Sequence, residues 1–376
     1  MKILVCSCGF NSFSEKKVDV FQFDQARALA QRGHDVRIAT LDMRSIRRFR
    51  SPFSAEYKQG GLKVFTVNSY CGRVPASVIN PAGVRAAKRA VSKACGDGWR
   101  PDIIHAHFTD MGYFFCDVAK EMGVPYVITE HSSALREEEL DETVMIQAAY
   151  AYPKADLLLA VGKNLAEHIE EKTGVTPTVL PNIVDIDVFS SAQKRQRAEG
   201  EPFVLTAAAT LNYGKGMDVT LNAFARLSDK NTVLNILGDG PEMESLRTLA
   251  AELGISERVK FFGRFTREQF KEALESTDCF VLASRGETFG VVYIEALAAG
   301  VPVIGTKCGG PEDFVSEDMG LLVEVDNVEA LTGAMQHMLE HSEEYDRELI
   351  KRKIKDSFSP QTVARELEKI YEKLID

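Results

Sequence analysis

The chain has no uninterrupted apolar run of about 18 residues, the length that a helix needs to cross a bilayer. Its first residues, MKILVCSCGF, place one lysine and a few apolar residues before polar ones. They predict a first β-strand and not a signal peptide. The seven cysteines are odd in number and irregularly spaced, and Cys6 and Cys8 lack the two-residue spacer of a redox or zinc pair. We therefore expect reduced thiols in a cytosolic protein.

The composition is that of a globular enzyme. Hydrophobic residues make up 45% and charged residues 27% of the chain. At 376 residues the chain is too long for one compact core, so two domains are expected. The net charge of −10 arises after residue 190, because residues 1–190 contain 23 basic and 23 acidic residues.

Short β-branched runs alternate with segments of helical period. The predicted strands are 2–6, 34–40, 101–107, 125–131 and 156–162, followed by 203–210, 232–238, 258–263, 279–284, 301–306 and 320–325. This alternation predicts two doubly wound α/β domains with parallel sheets, at 1–190 and 200–358, joined by a charged linker at 190–202. Residues 359–376 predict a capped amphipathic helix. Ligands of such sheets bind beyond the carboxyl ends of the strands.

The stretch ETFGVVYIEALAAGVPV, residues 287–303, places one carboxylate inside a strongly apolar segment. Gly290 interrupts any helix from Glu287, so Glu287 is predicted in a loop. Glu295 is predicted inside a buried helix that stops at Gly300. A buried carboxylate needs hydrogen-bond donors. The donors are either a buried arginine or backbone amide, or the vicinal hydroxyls of a sugar.

Several segments together resemble the family 4 retaining glycosyltransferases. The segment from Glu287 to Glu295 resembles the E-x7-E motif of that family. PDIIHAHF and VITEHSS resemble its two histidine-bearing strand ends, and LNYGKGMDVTLNAFARL resembles its lysine loop. The resemblance covers nearly the whole chain. It implies the GT-B fold, in which two Rossmann-like domains face each other across a cleft and the last helix, here 359–376, returns to the first domain.

The resemblance implies that the second domain holds a nucleotide sugar. Glu295 would accept hydrogen bonds from the ribose hydroxyls, and Glu287 from the hexose hydroxyls. Lys215 would bind the diphosphate and stabilise the leaving group. The backbone after Glu287 would assist, at Thr288, Phe289 and Gly290.

One position departs from the family pattern. The family usually has an arginine five residues before the lysine, and here that residue is Thr210. Either Arg264 or Arg285 supplies the missing cation, or the leaving group is less stabilised. Arg264 also follows Gly263, where the family tends to approach the base.

In the first domain, His131 aligns with the family histidine near the reacting sugar and would position the donor sugar or the acceptor. His107 is predicted to face the cleft on the acceptor side, and His105 to be a structural histidine. Gly9 corresponds to a loop near the diphosphate, which is unusually polar here (NSFSEKK).

Glu287 and Glu295 are spaced as binding groups along an extended ligand. Double displacement needs two carboxylates about 5 Å apart, whereas eight residues of helix span about 12 Å. Same-face substitution is therefore favoured, with the leaving diphosphate helping to deprotonate the acceptor. No metal and no cofactor are predicted, since a cation and backbone amides can carry the phosphate charge.

Residues 44–100 hold twelve basic residues and only two acidic ones, Glu56 and Asp97. The excess is either a solvated basic face or a surface that docks on an anionic membrane. A nucleic-acid partner is not predicted, because no recognised motif occurs and the chain is acidic overall. The candidate membrane residues are Arg44, Arg47, Arg48, Arg50, Arg85, Lys88, Arg89 and Lys93.

The main functional hypothesis is a retaining, metal-independent hexosyltransferase of cell-surface polysaccharide synthesis. Its donor would be a nucleotide sugar, with a UDP-sugar favoured over GDP-mannose. Its acceptor would be a hydroxyl of a glycan or of a lipid-linked molecule. Its expected location is the cytoplasm, at the inner face of the cytoplasmic membrane. The alternatives are a nucleotide-sugar epimerase of GT-B-like fold and a non-catalytic nucleotide-sugar-binding protein.

Overall fold

The computed structural model describes residues 1–11, 16–18, 20–43, 54–71, 74–137, 140–193 and 197–376. The chain divides into two compact units, one formed by Met1–Ile183 with Pro360–Asp376 and the other by Val184–Ser359. Each unit is a mostly parallel sheet with helices, so the predicted fold class of two parallel-sheet α/β domains is confirmed. No helix in the described part of the chain combines the length and apolarity needed to cross a membrane.

The first unit contains nine strands among the described residues. They are β1 Lys2–Asn11, β2 Lys16–Val18, β3 Asp35–Asp42, β4 Ala55–Gln59, β5 Leu62–Asn68, β6 Ile103–His107, β7 Tyr126–Glu130, β8 Leu157–Ala160 and β9 Thr178–Val179. The helices up to residue 183 are α1 Val20–Gln31, α2 Ala76–Ala94, α3 Thr109–Met122, α4 Glu142–Ala151 and α5 Lys163–Thr173.

The strand order of the first sheet is β4-β5-β3-β1-β6-β7-β8-β9, with β2 paired to β1. The β2 and β4 pairings are antiparallel and the others are parallel. The chain runs outward from β1 through β3 and then returns to β6 on the other side. The order therefore reverses between β1 and β6, and the carboxyl ends of these two strands flank a switch point where such sheets bind ligands.

The hairpin of β4 and β5 has no counterpart among the predicted strands. Its strands meet at Gly60 and Gly61, which have φ of +52° and +88°. Strand β4 reads AEYKQ and alternates between exposed and half-buried residues. It therefore lacks the continuous apolar run by which the buried parallel strands are recognised.

The second unit has six strands among its described residues, and all of them are parallel. They are β10 Phe203–Ala208, β11 Thr232–Leu237, β12 Val259–Gly263, β13 Cys279–Val281, β14 Val303–Thr306 and β15 Gly320–Val323, in the order β12-β11-β10-β13-β14-β15. The order reverses between β10 and β13, which makes a second switch point. Its helices are α6 Ile186–Ser190, α7 Met217–Ala225, α8 Met243–Glu252, α9 Arg267–Glu275, α10 Val291–Ala298, α11 Val328–His341 and α12 Arg347–Phe358.

The predicted linker begins later than the boundary between the two units. Helix α6 belongs to the second unit, where the ring of Phe189 lies 5.8 Å from that of Phe270. Residues 194–196 of the predicted linker lie outside the described residues.

The last helix, α13 (Pro360–Ile375), belongs to the first unit. Four of its residues are buried in the core of that unit, beside Ile3, Val5 and Leu29 of the sheet and of α1; they are Val363, Ala364, Leu367 and Tyr371. The apolar face of α13 is thus part of the hydrophobic core of the first unit.

Candidate active site

Two loops meet at the switch point of the second sheet. One follows β10 and carries Lys215, and the other follows β13 and carries Glu287. Lys215 Nζ donates a hydrogen bond to Glu287 Oε1 at 2.7 Å, and Ser284 Oγ donates to the same oxygen at 2.8 Å. The Glu287 side chain is 10% exposed, so this carboxylate is buried with a cation and a hydroxyl as partners.

The lysine loop can approach β13 only because residue 216 is glycine. Gly216 has φ +57°, and a Cβ atom there would lie 1.8 Å from the carbonyl oxygen of Ala283. Residues Tyr213–Lys215 form a 3₁₀ turn directly before it. This close approach brings Lys215 against Glu287.

Glu287 lies in a loop, as the sequence indicates. Its N–H donates to Cys308 O at 3.2 Å and its carbonyl accepts from the N–H of Gly310 at 2.9 Å. Gly290, with φ +89°, begins α10 in a conformation that favours glycine. The buried ring of Phe289 packs against Phe314 and Phe358, whereas Thr288 is half-buried.

Glu295 lies in the middle of α10 and is 6% exposed. Arg267 Nε, at the first residue of α9, lies 3.6 Å from Glu295 Oε1. An arginine partner is one of the two alternatives that the sequence leaves open. The pattern before α9 predicts a helix start, because Thr266 and Gln269 form a capping box, but it does not indicate that Arg267 reaches Glu295.

Arg264 and Arg285, the two candidates for the missing cation, differ in exposure and in their acidic partners. Arg264 is 89% exposed and pairs with Asp239 at 3.0 Å. Arg285 is bound by two carboxylates: it donates two hydrogen bonds to Asp218, and its Nε lies 2.8 Å from Asp326 Oδ1.

Thr210 is exposed after β10, and its carbonyl accepts a hydrogen bond from the N–H of Asn212 at 2.9 Å. The carboxylates of Asp218 and Asp326 offset the charge of Arg285. Its pKa is raised, chiefly by the hydrogen bond to Asp218.

In the first unit, three histidines line up at the ends of β6 and β7. His107 Nδ1 and His131 Nε2 are 2.9 Å apart, and the rings of His105 and His107 stack at 4.4 Å. Both ring nitrogens of His105 are used, by Tyr371 Oη at 2.5 Å and Thr129 Oγ1 at 2.6 Å. His107 Nε2 and His131 Nδ1 are buried without a hydrogen bond to any described residue.

Burial keeps these imidazoles neutral. It lowers the pKa of His105 to about 3, and that of His131 to about 3 together with repulsion from His105, while a contact with Asn182 opposes the shift. The pKa of His107 is also well below its usual value, because of burial and then its two histidine neighbours. Each free ring nitrogen can therefore donate or accept one uncharged hydrogen bond.

Glu130, which immediately precedes His131, is a residue that the sequence did not single out. It is fully buried, and its carboxylate accepts hydrogen bonds from Thr109 Oγ1 at 2.6 Å and Tyr152 Oη at 2.8 Å. It also accepts from the N–H groups of His131 and Ser132 at 2.8 and 2.7 Å. This carboxylate therefore fixes the backbone on which His131 stands.

Gly9 does not lie in a loop. It lies within β1, opposite Val18 of β2, and a Cβ atom there would lie 2.7 Å from Thr40 Cβ. The antiparallel pairing with β2 extends the strand through Asn11, which is why the polar sequence continues as strand. The rest of the polar stretch, 12–15, lies outside the described residues.

Two family models match consecutive parts of the chain. One is described as Glycosyltransferase Family 4 and matches residues 18–188, and the other is described as Glycosyl transferases group 1 and matches residues 188–356. The chain belongs to glycosyltransferase family 4. The resemblance identified from the sequence is thereby confirmed, and the chain is a glycosyltransferase.

Two relatives show the breadth of the family. The N-acetyl-alpha-D-glucosaminyl L-malate synthase of Bacillus anthracis is 26% identical over 364 residues, which cover 92% of this chain and 91% of that protein. The N-acetylgalactosamine-N,N'-diacetylbacillosaminyl-diphospho-undecaprenol 4-alpha-N-acetylgalactosaminyltransferase of Campylobacter jejuni is 33% identical over 194 residues, 50% of this chain and 52% of its own.

Among solved structures, Anabaena Alr3699/HepE in complex with UDP has a TM-score of 0.76 to this glycosyltransferase. It is 17% identical and is matched over 100% of both chains. At that identity the likeness shows the shared GT-B fold.

The basic residues singled out in the sequence fall into two groups. Arg44, Arg47, Arg48 and Arg50 lie outside the described residues. Arg85, Lys88, Arg89 and Lys93 are exposed on α2. Lys88 pairs with Glu121 of α3 at 2.6 Å.

Proposed function

We propose that this glycosyltransferase moves a hexose from a nucleoside diphosphate sugar to a hydroxyl of a glycan or lipid-linked acceptor, with retention of configuration and without a metal. The observation that carries the proposal is the Lys215–Glu287 pair at the second switch point. In this pair a cation lies beside a carboxylate at the edge where such sheets bind ligands, which supports a site for a diphosphate and for sugar hydroxyls.

Each site residue has a proposed role in binding the donor. Lys215 binds the diphosphate, and Glu287 accepts hydrogen bonds from the hexose with help from the Thr288–Gly290 backbone. Glu295 accepts from the ribose hydroxyls, which compete with the longer 3.6 Å contact to Arg267. UDP is favoured over GDP because the Anabaena neighbour is described as a UDP complex.

The proposed reaction is a same-face substitution. The bond between C1 of the hexose and the β-phosphate oxygen breaks, and a bond from C1 to the acceptor oxygen forms on the same face. The acceptor's proton passes to the leaving phosphate oxygen, whose charge Lys215 stabilises. The contacts of Glu287 support a binding role, because a carboxylate oxygen that accepts from a cation and a hydroxyl is a weak nucleophile.

His131 is the proposed catalytic residue of the first unit. Its imidazole is neutral, its backbone is fixed by Glu130, and its Nδ1 has no hydrogen bond to a described residue. It can therefore bind a hydroxyl of the reacting sugar or of the acceptor. His107, bonded to its other nitrogen, is proposed for the acceptor side.

The first unit also offers a surface for an anionic membrane. Arg85, Arg89 and Lys93 recur every four residues on α2, so they form one exposed row.

Exposed apolar side chains lie on the same helix and on α4, namely Val78 at 49%, Met145 at 37% and Ile146 at 43%. Gln147 of α4 donates to Asn80 of α2 at 2.8 Å, which joins the two helices. Basic and apolar groups are typical of surfaces that dock on anionic lipid, which supports our proposal that the enzyme acts at the inner face of the cytoplasmic membrane.

A thermal-shift screen with UDP- and GDP-sugars tests the donor site. A donor at many times its Kd is expected to raise the Tm of the wild type by a few degrees, roughly. Glu295→Ala should lose this shift, whereas Glu348→Ala, which removes an 82% exposed carboxylate paired with Lys351, should keep it. Equal shifts in all three proteins would reject the assignment of Glu295.

Donor turnover then distinguishes transfer from the alternatives. Product from the stabilising donor should form only with a glycan or lipid-linked acceptor, and its anomeric configuration, read by NMR, should match that of the donor. Turnover without an acceptor, or binding without turnover, would contradict the proposed transferase.

A further inference from the structure

Arg285 contacts the lysine loop through both its side chain and its backbone. Its Nη1 donates to the carbonyl of Tyr213 at 2.6 Å, and its backbone N–H donates to the carbonyl of Gly214 at 2.8 Å. The guanidinium lies 3.9 Å from the centre of the Tyr213 ring. The side chain is only 15% exposed.

The same guanidinium also contacts a carboxylate in α7 and another that precedes α11. It donates to both carboxylate oxygens of Asp218, in the first turn of α7, at 3.0 and 2.8 Å. Its Nε lies 2.8 Å from Asp326 Oδ1, just before α11. A guanidinium is planar, and this one has a bidentate carboxylate partner and an aromatic ring stacked on it. Its orientation is therefore well defined.

We propose that Arg285 is a positioning residue that holds the lysine loop, Tyr213–Lys215, against Glu287. The proposal rests on the proposed function of Lys215 and Glu287. Two consecutive residues then build the pair: Ser284 fixes the carboxylate and Arg285 fixes the loop that presents the ammonium group. A donor diphosphate thus meets a lysine whose position is already set, which lowers the entropy lost on binding.

Arg285 is poorly suited to bind the diphosphate itself. Two carboxylates offset its single positive charge, and a phosphate oxygen would have to displace one of them. It therefore acts through Lys215 and does not replace the cation missing at Thr210.

A double-mutant cycle in nucleotide binding tests this role. Kd values for UDP and UMP, with GDP and GMP in parallel, are measured for wild type, Lys215→Met, Arg285→Lys and the double variant. Arg285→Lys should weaken diphosphate binding about tenfold while changing monophosphate binding little, since Lys215 acts on the diphosphate. In the Lys215→Met background, Arg285→Lys should cause no further loss.

The conservative variant separates positioning from a direct charge contact. Lysine keeps the charge of Arg285 but cannot make the bidentate and stacked contacts, so Arg285→Lys and Arg285→Gln should be impaired alike. A direct ligand would instead be rescued by lysine, and its loss would add to that of Lys215→Met. Either result would overturn the proposal.

Amide hydrogen exchange tests the loop independently of any nucleotide. Residues 213–218 should exchange about tenfold faster in Arg285→Lys than in wild type. The matched control is Arg37→Lys in the first unit, because Arg37 is also bidentate, to Asp97, and stacked, 4.6 Å above Trp99. The control should leave exchange in 213–218 unchanged.

The two measurements distinguish the possible failures. If wild type binds neither UDP nor GDP, the proposed function fails, while the exchange data still decide whether Arg285 orders the loop. If exchange in 213–218 is the same in Arg285→Lys and wild type, the positioning role is wrong whatever the nucleotide affinities.

Discussion

Lys215 and Glu287 form a largely buried ion pair whose charges offset one another. Removing one partner of such a pair leaves an uncompensated charge, which costs more stability than the pair itself contributes. Activity and stability should therefore respond differently to single and double substitutions at these two residues.

We expect Lys215→Met to lower kcat by about 10²–10³-fold, the usual effect of losing one group that stabilises a transition-state charge. It should also lower the Tm, because Glu287 is left with Ser284 as a donor but without its cation. Lys215→Met with Glu287→Gln should recover the Tm but not the activity. A double variant less stable than Lys215→Met would show that Glu287 stabilises the fold through other contacts.

Thr210 leaves the lysine loop with less positive charge than the family pattern provides. Thr210→Arg should raise kcat/KM for the donor about tenfold, because a second cation beside Lys215 would further stabilise the leaving diphosphate. Initial rates at subsaturating donor measure the change. Thr248→Arg adds the same charge on the exposed surface of α8 and should have no effect. Equal rates for Thr210→Arg and wild type would mean that the site already has enough positive charge.

At the scale of elements, the ends of β6 and β7 hold three neutral buried histidines. Their pKa values lie below the ordinary value of about 6.5, so the unfolded chain binds protons first as the pH falls. The stability that they contribute is complete above about pH 6.5 and is lost as the pH falls toward about 3.

His105→Gln should make the first unit less sensitive to acid. Relative to this variant, the wild type should lose about 1.4 kcal/mol of unfolding free energy per pH unit between about pH 6.5 and 4. Urea unfolding followed by the fluorescence of Trp99, the only tryptophan and buried in the first unit, measures it. Thr66→Val removes a buried hydrogen bond to Thr40 without removing a titratable group, so its effect should not depend on pH. Parallel curves for His105→Gln and wild type would contradict the assignment.

The buried parallel strands were predictable because both of their faces are covered, which makes them continuous apolar runs such as Ile3–Val5 and Ile103–Ile104. Glu287 and Glu295 stand out in the sequence because they border an uncharged, apolar segment, and the family pattern adds Lys215 and implies a role for each. Ser284, Arg267 and Glu130 do not stand out, because their contacts are made across the fold. For the same reason the sequence does not reveal the positioning role proposed for Arg285, because its partners Asp218 and Asp326 lie in distant parts of the sequence.

At the scale of the whole molecule, a chain of net charge −10 carries an exposed basic row on one helix of its first unit. Replacing Arg85, Arg89 and Lys93 by glutamine should weaken binding to vesicles containing anionic lipid about a hundredfold, at about 1 kcal/mol for each cation near the surface. Co-sedimentation measures this binding, and added salt should weaken wild-type binding in the same way.

The matched control is the triple replacement of Lys230, Lys260 and Lys355, which are exposed in the second unit, and this variant should bind like wild type. Equal binding by the Arg85/Arg89/Lys93 variant and the wild type would leave the row as a solvated face.

The return of α13 to the first unit also sets an order for biosynthesis. Residues Pro360–Asp376 leave the ribosome after every residue of Val184–Ser359 has been made. The second unit, a single continuous segment, can therefore fold while the first still lacks Val363, Leu367 and Tyr371 from its core. In most multidomain proteins the amino-terminal domain is completed first during synthesis. Here the nascent first unit exposes the apolar surface that α13 covers in the folded protein until that helix has been made, and this surface is where we expect a chaperone to bind.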